Sequence, residues 1–184
     1  MPPAVVLSSR LVLAAAALLA ACSPAFNWRE VPIAGAGLVA MLPCKADRAT
    51  RALPLGSESV QVDMTGCEAG GATFAIAHAS AGSPAQAEAW LHAWQAATRS
   101  QLGAAQVTES RPSVQRATAV PAALQLDALP QPQQQPQGAA TQLQVLWFAQ
   151  SQKDGTVALY QATVLGHPSS AEASKTFFEG LRLP

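Results

Sequence analysis

The feature that most constrains this chain is an uncharged apolar run near its start, residues 11–21, which follows Arg10 and leads into Cys22. A helix needs about 20 consecutive apolar residues to cross a bilayer, so the run is too short for a transmembrane helix. A basic residue, a short apolar segment and small residues at its end are instead typical of a secretory signal. We therefore expect this segment to direct export, and the folded domain to form from the residues that follow.

The end of the apolar run carries more specific information about processing. Residues 19–22 read Leu-Ala-Ala-Cys and resemble the lipobox of bacterial lipoproteins. The resemblance implies that residues 1–21 are a lipoprotein signal peptide, that Cys22 carries a diacylglyceryl group, and that lipid anchors the mature chain in the cell envelope. Ser23 resembles the sorting pattern of enteric outer-membrane lipoproteins, which implies the outer membrane, facing the periplasm. The alternative is an ordinary Cys22 behind a signal peptide that is cut elsewhere.

The charge balance bears on the partners of the mature chain. Removing residues 1–21 deletes one charged side chain, Arg10, and leaves ten basic against eleven acidic side chains. A nearly neutral chain has no long-range field to attract nucleic acid or an anionic membrane surface. We therefore expect no nucleic-acid partner. Attachment to the membrane is expected through acyl chains, which contribute about 0.8 kcal/mol per buried methylene.

Two of the three cysteines remain once Cys22 is assigned to lipid. Cys44 and Cys67 would face an oxidising compartment, where a pair of thiols is most simply interpreted as a disulfide. The bridge would stabilise the fold by about 3 kcal/mol in the chain-entropy model. The alternatives are unpaired structural cysteines and a metal or redox site, although a metal site would need a compact Cys/His cluster.

The mature chain has the length of one domain. We assign residues 22–36 to the lipidated N-terminus and a tether that docks early onto the domain, and residues 37–184 to a single α+β domain. Dense proline and glutamine at residues 130–138 predict an extended, exposed loop, because proline lacks an amide donor and glutamine adds no apolar area. This loop is either a tolerated insertion or a docking motif for a partner.

Apolar patterning predicts short strands grouped into hairpins. Gly70-Gly71 predicts the turn of one hairpin, whereas residues 45–51 predict a polar turn. Apolar residues on both faces of the stretch 143–150 predict a central strand of the sheet. The predicted strands are residues 37–43, about 52–55, 60–64, 72–78, 122–129, 143–150 and 157–165, and the strand that contains residues 60–64 is predicted to end at Cys67.

Two helices are predicted from capping residues and apolar spacing. Ser83 followed by Pro84 predicts a helix that runs to about Leu102. A capping box of Ser169 with Glu172 predicts the start of the second helix. Gly180 should end the second helix in the left-handed conformation.

Trp90 and Trp94 are the candidate side chains for a ligand or partner surface. They lie one turn apart on the first predicted helix, together with Ala87 and Leu91. This face must be buried if the helix lies on a sheet, so core packing explains both indoles. The alternative is a stacking platform for a ligand in a pocket between helix and sheet.

Strands in hairpins with separate helices, rather than alternating βαβ units, predict an α+β fold: a central antiparallel sheet with two helices packed on it. Residues 37–43 (Gly-Leu-Val-Ala-Met-Leu-Pro), 160–164 (Tyr-Gln-Ala-Thr-Val) and 177–183 (Phe-Phe-Glu-Gly-Leu-Arg-Leu) are similar to the PsbP-like sandwich. Residues 42–45 (Leu-Pro-Cys-Lys) and 66–71 (Gly-Cys-Glu-Ala-Gly-Gly) resemble segments of uncharacterised proteobacterial envelope lipoproteins. The PsbP-like group includes scaffolding subunits and small binding proteins, which implies partner binding.

Catalytic motifs give no positive signal in this sequence. It contains no Gly-x-Ser-x-Gly, Ser-x-x-Lys, His-Glu-x-x-His or phosphate-binding loop. His78, His92 and His167 are scattered, and Asp63 and Glu68 are expected to be solvated carboxylates. We therefore expect a non-catalytic binding or assembly module in the envelope, with a protein partner and with neither cofactor nor metal. The alternative is a small-ligand carrier or an uncharted hydrolase that uses the pocket between helix and sheet.

Overall fold

The computed structural model describes residues 25–33, 37–103, 105–130 and 141–184. Within these residues, seven strands form one antiparallel sheet, two short strands form a second sheet, and two helices are present. Neither of the described helices has the length and hydropathy needed to cross a bilayer. The elements are β1 (Arg29–Pro32), β2 (Val39–Leu42), β3 (Asp47–Leu55), β4 (Glu58–Ala69), β5 (Ala72–Ala81), α1 (Pro84–Gln101), β6 (Gln106–Ser110), β7 (Leu124–Leu129), β8 (Leu143–Ser151), β9 (Val157–Gly166) and α2 (Ala171–Glu179).

The large sheet has the strand order β3-β4-β5-β9-β8-β7-β6. Tight turns join β3 to β4, β4 to β5 and β8 to β9, whereas the pairing of β5 with β9 brings together strands that are distant in the chain. Strands β8 and β9 lie in the interior of the sheet and carry buried residues on both faces. This pattern is expected when both faces of a strand are covered, and it confirms the predicted central strand.

The two faces of the large sheet are covered by different elements. The helix face is covered by α1, and its core includes Val62, Trp94 and Trp147. The hairpin face is covered by β1, β2 and α2, and its core includes Phe74 and Phe177. The rings of Phe74 and Phe177 meet edge to face with centroids 5.5 Å apart, which places α2 against the sheet. The predicted α+β fold, an antiparallel sheet with two helices packed on it, is therefore confirmed.

Helix α1 begins and ends where the sequence predicts. The Ser83 hydroxyl accepts a hydrogen bond from the Gln86 amide at 3.2 Å, and Pro84 occupies the first turn, where its missing N–H leaves no bond unmade. Leu102 is the C-cap. One face of α1 packs on the sheet, and its buried residues are Ala87, Trp90, Leu91 and Trp94.

Helix α2 differs from the prediction at both ends. Its N-cap is Ser170 and makes no side-chain capping bond, so the predicted capping box of Ser169 with Glu172 is wrong. The Ser169 amide instead donates to a carbonyl of the β4–β5 turn at 2.7 Å. Gly180 has a φ of −81°, so the predicted left-handed C-cap is also wrong. A Cβ at Gly180 would lie 2.5 Å from the Met41 side chain, and this close approach to β2 accounts for the glycine.

Strand β3 begins earlier than predicted. Residues 45–51 are not a polar turn, because β3 starts at Asp47 and pairs with β4 from Asp47 opposite Gly66 to Leu55 opposite Glu58. It is an edge strand, and most of its side chains are exposed. A polar sequence is compatible with an exposed edge, so the local pattern did not reveal the pairing.

The segment assigned to a tether contributes to the domain. Strand β1 lies within it and pairs with β2. The rings of Phe26 and Trp28 pack against Phe74 with centroids 6.4 and 6.1 Å apart. The prediction that this segment docks early onto the domain is confirmed for residues 26–32.

Cys44 and Cys67 form the predicted disulfide, with their Cα atoms 5.9 Å apart and a sequence separation of 23 residues. Cys44 follows β2, and Cys67 lies on β4 among the core residues of the hairpin face. The bond therefore joins the small sheet to the large one. The sequence predicted that this strand ends at Cys67, but β4 continues to Ala69.

Two further predictions lie outside the described residues. The signal peptide and the lipid attachment at Cys22 fall within residues 1–24. The proline- and glutamine-rich loop at 130–138 is described only at Pro130. Both stay predictions from sequence.

Candidate functional site

Strands β4 and β5 are paired over only part of their length. Pairing runs from Ala69 opposite Ala72, at the turn, to Asp63 opposite His78, and stops there. Beyond this point β4 stays paired with β3, and β5 stays paired with β9. The two strands therefore diverge, and a cavity of about 400 Å³ opens between them. We call this cavity the β4–β5 cleft.

The β4–β5 cleft is lined from both faces of the sheet. Strand alternation places Asp63, His78 and Ser80 on the hairpin face, and Glu58 and Trp90 line the cleft from the helix face. The other lining residues are Ser59, Val60, Gln61, Ala79 and Gln86. Two carboxylates thus line the cleft, and none of its lining residues is Lys or Arg.

A hydrogen-bond network organises the end of the cleft nearest α1. The Trp90 indole Nε1 donates to the Glu58 carboxylate at 2.9 Å, and the Gln86 amide Nε2 donates to it at 3.1 Å. The Gln86 Oε1 accepts from the Gly82 amide at 2.7 Å. Two donors hold Glu58 against α1, whereas a carboxylate has about four acceptor sites. Glu58 can therefore accept further hydrogen bonds from a ligand.

A row of side chains crosses the hairpin face at the inner end of the cleft. Thr50, Asp63, His78 and Tyr160 lie opposite one another on β3, β4, β5 and β9. The Thr50 hydroxyl donates to Asp63 Oδ1 at 2.6 Å. The His78 and Tyr160 rings have centroids 5.3 Å apart. The row places a carboxylate beside an imidazole at the point where the strands separate.

His78 is a buried titratable group at this inner end. Its side chain is 8% exposed, and its Nε2 has no hydrogen-bond partner among the described residues. Burial lowers the pKa of His78 below its usual value, and the nearby Asp63 carboxylate partly opposes that change. The imidazole is therefore neutral at pH 7. Burial raises the pKa of Tyr160, so its phenol also stays neutral.

Trp90 and Trp94, the two candidates for a ligand or partner surface, have different surroundings. Trp90 and Trp94 are 8% and 5% exposed, and both belong to the helix-face core. Trp90 also lines the β4–β5 cleft, where its N–H is directed to Glu58, whereas Trp94 does not line that cleft. Sequence reasoning did not single out Glu58, because its partners are 28 and 32 positions away along the chain.

The other histidines lie away from the cleft. His92 is exposed on α1 and lines a second cavity with Arg111 and Pro121. His167 is exposed in the connection after β9. Across the part of the chain that the structure describes, no group of three or more His, Cys, Asp or Glu side chains is placed to hold a metal ion.

In comparisons with known proteins, no family model and no curated protein matches this chain. The similarity to the PsbP-like sandwich and to envelope lipoproteins thus rests on the short sequence segments quoted above. Function has to be inferred from the cleft and its chemistry.

Proposed function

We propose that this chain is a lipid-anchored, non-catalytic binding module of the bacterial cell envelope, and that the β4–β5 cleft is its recognition site. The observation that carries the proposal is the interrupted pairing at Asp63 and His78, which leaves a polar-lined cavity in an otherwise continuous sheet. Ligand sites are typically concave, with a few polar groups held by a rigid scaffold. Both walls here are held by neighbouring strands, so the site is formed before a ligand arrives.

Two features support the cellular setting. The lipobox-like residues 19–22 would attach the chain to a membrane through Cys22, at the outer membrane and facing the periplasm. The disulfide between Cys44 and Cys67 is typical of oxidising compartments such as the periplasm. Because β1 begins at Arg29, a lipidated Cys22 would hold the domain close to the membrane surface.

The cleft favours a small-ligand carrier over a protein-assembly module. Its volume of about 400 Å³ lies in the range of small-molecule pockets. A hydrolase would need a nucleophile hydrogen-bonded to a base. The hydrogen bonds among the described side chains include no Ser–His or Cys–His pair, so binding is the function that the geometry supports best.

Metabolic labelling with an alkyne fatty acid, followed by membrane fractionation, tests the anchor. We expect the wild-type chain to be labelled and to sediment with membranes. The Cys22→Ser variant should lose the label and the sedimentation. If Cys22→Ser keeps both, the lipid-anchor part of the proposal is wrong.

A photo-crosslinking amino acid in living cells tests the recognition site. Gln61 is exposed in the cleft, and Gln106 is also exposed, on the edge strand β6 away from the cleft, so these two positions form a matched pair. Mass spectrometry should find a defined adduct at position 61 that is absent at position 106. Identical adducts at both positions, or none at position 61, would contradict the proposal.

A further inference from the structure

The start of the described chain determines where a lipid anchor would leave the domain. Ala25 is exposed, and the ring of the next residue, Phe26, lies against Gly70 in the β4–β5 turn. Three Cα–Cα steps separate Cys22 from Ala25, so even a fully extended chain spans at most about 11 Å between them. A lipid on Cys22 would therefore enter the bilayer beside the β4–β5 turn and hold this part of the domain close to the membrane.

Strand direction brings further elements to the same end of the large sheet. Because neighbouring strands are antiparallel, β5, β8 and β6 begin at this end, and β4, β9 and β7 finish there. We call it the turn end of the sheet. Leu165 on β9 lies opposite Leu143 on β8, and Ala128 on β7 lies opposite Val107 on β6. From β5 to β6 the turn end spans four strand spacings, or about 19 Å.

Exposed apolar side chains are concentrated at the turn end. In the described part of the chain the exposed large apolar residues are Val107, Val120, Leu129 and Leu165. Leu165, Leu129 and Val107 lie at the turn end and are 44%, 46% and 40% exposed. Val120 lies in the connection between β6 and β7, at the opposite end of the sheet. Scattered exposed apolar residues are common, whereas a group of them beside a lipid anchor is what a membrane contact needs.

The charges beside the β4–β5 turn indicate the kind of membrane contact. A depression at the turn is lined by Glu68 and Leu165 among others, and none of its lining residues is Lys or Arg. Glu68 and His167 are the exposed ionisable side chains that flank the turn and the end of β9. Attraction to anionic lipid headgroups requires clustered basic side chains. The contact that this surface offers to a bilayer is therefore apolar.

We propose that the turn end of the sheet rests on the bilayer, with Val107, Leu129 and Leu165 in the membrane interface, so that the β4–β5 cleft opens away from the membrane. Six steps along β4 separate Ala69, at the turn, from Asp63, where the cleft begins. At the usual strand rise this places the cleft about 20 Å from the turn, on the aqueous side. The inference rests on the lipid anchor of the proposed function and adds the orientation of the domain.

A photo-crosslinking amino acid, placed singly at positions 165, 107 and 120 in living cells, tests the orientation. Position 120 is the matched control, because Val120 is also apolar and exposed but lies at the other end of the sheet. Mass spectrometry should find phospholipid adducts at positions 165 and 107, and about tenfold less or none at position 120, because the crosslinker reacts only with groups in contact with it. The lack of a phospholipid adduct at position 165 or 107, or an equal yield at position 120, would overturn the proposal.

Fatty-acid labelling separates this proposal from the proposed function. Each crosslinking variant is first labelled with the alkyne fatty acid and fractionated. If the variants are labelled and sediment with membranes but position 165 gives no phospholipid adduct, the orientation is wrong and the lipid anchor stands. If the wild-type chain is neither labelled nor sedimented, the anchor and the orientation are both wrong.

A double substitution tests the apolar contact itself. Leu129→Glu combined with Leu165→Glu should lower the phospholipid adduct at position 107 about fivefold or more, because a carboxylate is costly in an apolar interface. Both side chains are exposed, so the fold should be maintained, and urea unfolding checks this. Val120→Glu is the control and should leave the adduct unchanged. An unchanged adduct in the double variant, or an equal loss in the control, would overturn the apolar contact.

Discussion

The two ends of the β4–β5 hairpin differ. The strands are hydrogen-bonded to each other at the turn end and are unpaired at the far end. At the turn end, Gly70 and Gly71 have φ values of 57° and 84°, and the strands pair from the first residue after the turn. The backbone here adopts a turn that glycine enters without strain. At the far end, pairing stops at Asp63 and His78, and polar side chains line the gap.

The two ends of the β4–β5 hairpin also differ in the residues that they contact. At the turn end, Phe74 is fully buried and meets the rings of Phe26, Trp28 and Phe177. At the far end, the Glu58 carboxylate accepts a hydrogen bond from the Trp90 indole of α1. The same hairpin thus contributes Phe74 to the core of the hairpin face and Asp63 and His78 to the cleft.

The largest expected effect concerns the turn end. Phe74→Ala should lower the free energy of unfolding by about 3–5 kcal/mol, because it leaves a cavity in a fully buried aromatic cluster. Urea unfolding measures the change. Leu129→Ala, at a side chain that is 46% exposed, should change stability by no more than about 0.5 kcal/mol. Similar losses in the two variants would mean that Phe74 is not part of a tightly packed cluster.

Loss of the disulfide should cause the next largest decrease in the free energy of unfolding. Replacing Cys44 and Cys67 together by Ala should lower the unfolding free energy by about 3 kcal/mol, because the bond constrains the unfolded chain. Urea unfolding of the reduced wild-type chain should give a similar loss. Thiol labelling of the denatured, unreduced protein should leave both cysteines unmodified, and full labelling of the pair would rule out the bond.

A substitution on α1 beside the cleft should lower the free energy of unfolding by less than the two changes above. Trp90→Phe removes the bond to Glu58 and should lower the unfolding free energy by about 1 kcal/mol beyond the loss of indole volume. Trp94→Phe, one turn along on the same buried face, gives the volume effect alone and is the matched control. Denaturant unfolding of both variants measures the difference, and equal losses would show that the Glu58 bond does not brace the cleft.

The smallest expected effect is a dependence of stability on pH. Burial lowers the pKa of His78 in the folded state, while Asp63 opposes the change and Tyr160, opposite on β9, stays neutral. Below about pH 6.5 the unfolded chain binds more protons, so the unfolding free energy falls on acidification and recovers as pH rises. His78→Gln should flatten this dependence in urea unfolding between about pH 5.5 and 7.5. An unchanged slope would show that another group is responsible.

Local patterns predicted those parts of the fold whose partners are near in sequence. The start of α1 at Ser83 and Pro84 was predictable because a helix cap bonds within its own first turn. The Gly70-Gly71 turn was predictable for the same reason. The start of β3 and the ends of α2 were not, because their backbone conformation depends on β4, on the β4–β5 turn and on β2.

The candidate site was only partly visible in the sequence. Trp90 was singled out by its helical spacing, and His78 and Asp63 were placed on strands but assigned no partner. Glu58 could not have been found, because its bond to Trp90 joins residues that are 32 positions apart. The cross-strand row of Thr50, Asp63 and His78 likewise needs a register that no local pattern specifies.

By itself, the sequence predicted the helix cap, the glycine turn and the apolar central strands, since these depend on neighbouring residues. It predicted the cysteine pair because two of the three cysteines remain when Cys22 is assigned to lipid. Only the tertiary structure decided where β4 stops pairing with β5. Beyond that point β4 stays paired with β3 and β5 with β9. The pairing of β5 with β9 joins strands that are far apart in the chain, and the stop at Asp63 and His78 is a matter of register, so no local pattern in the sequence specifies where the cleft opens.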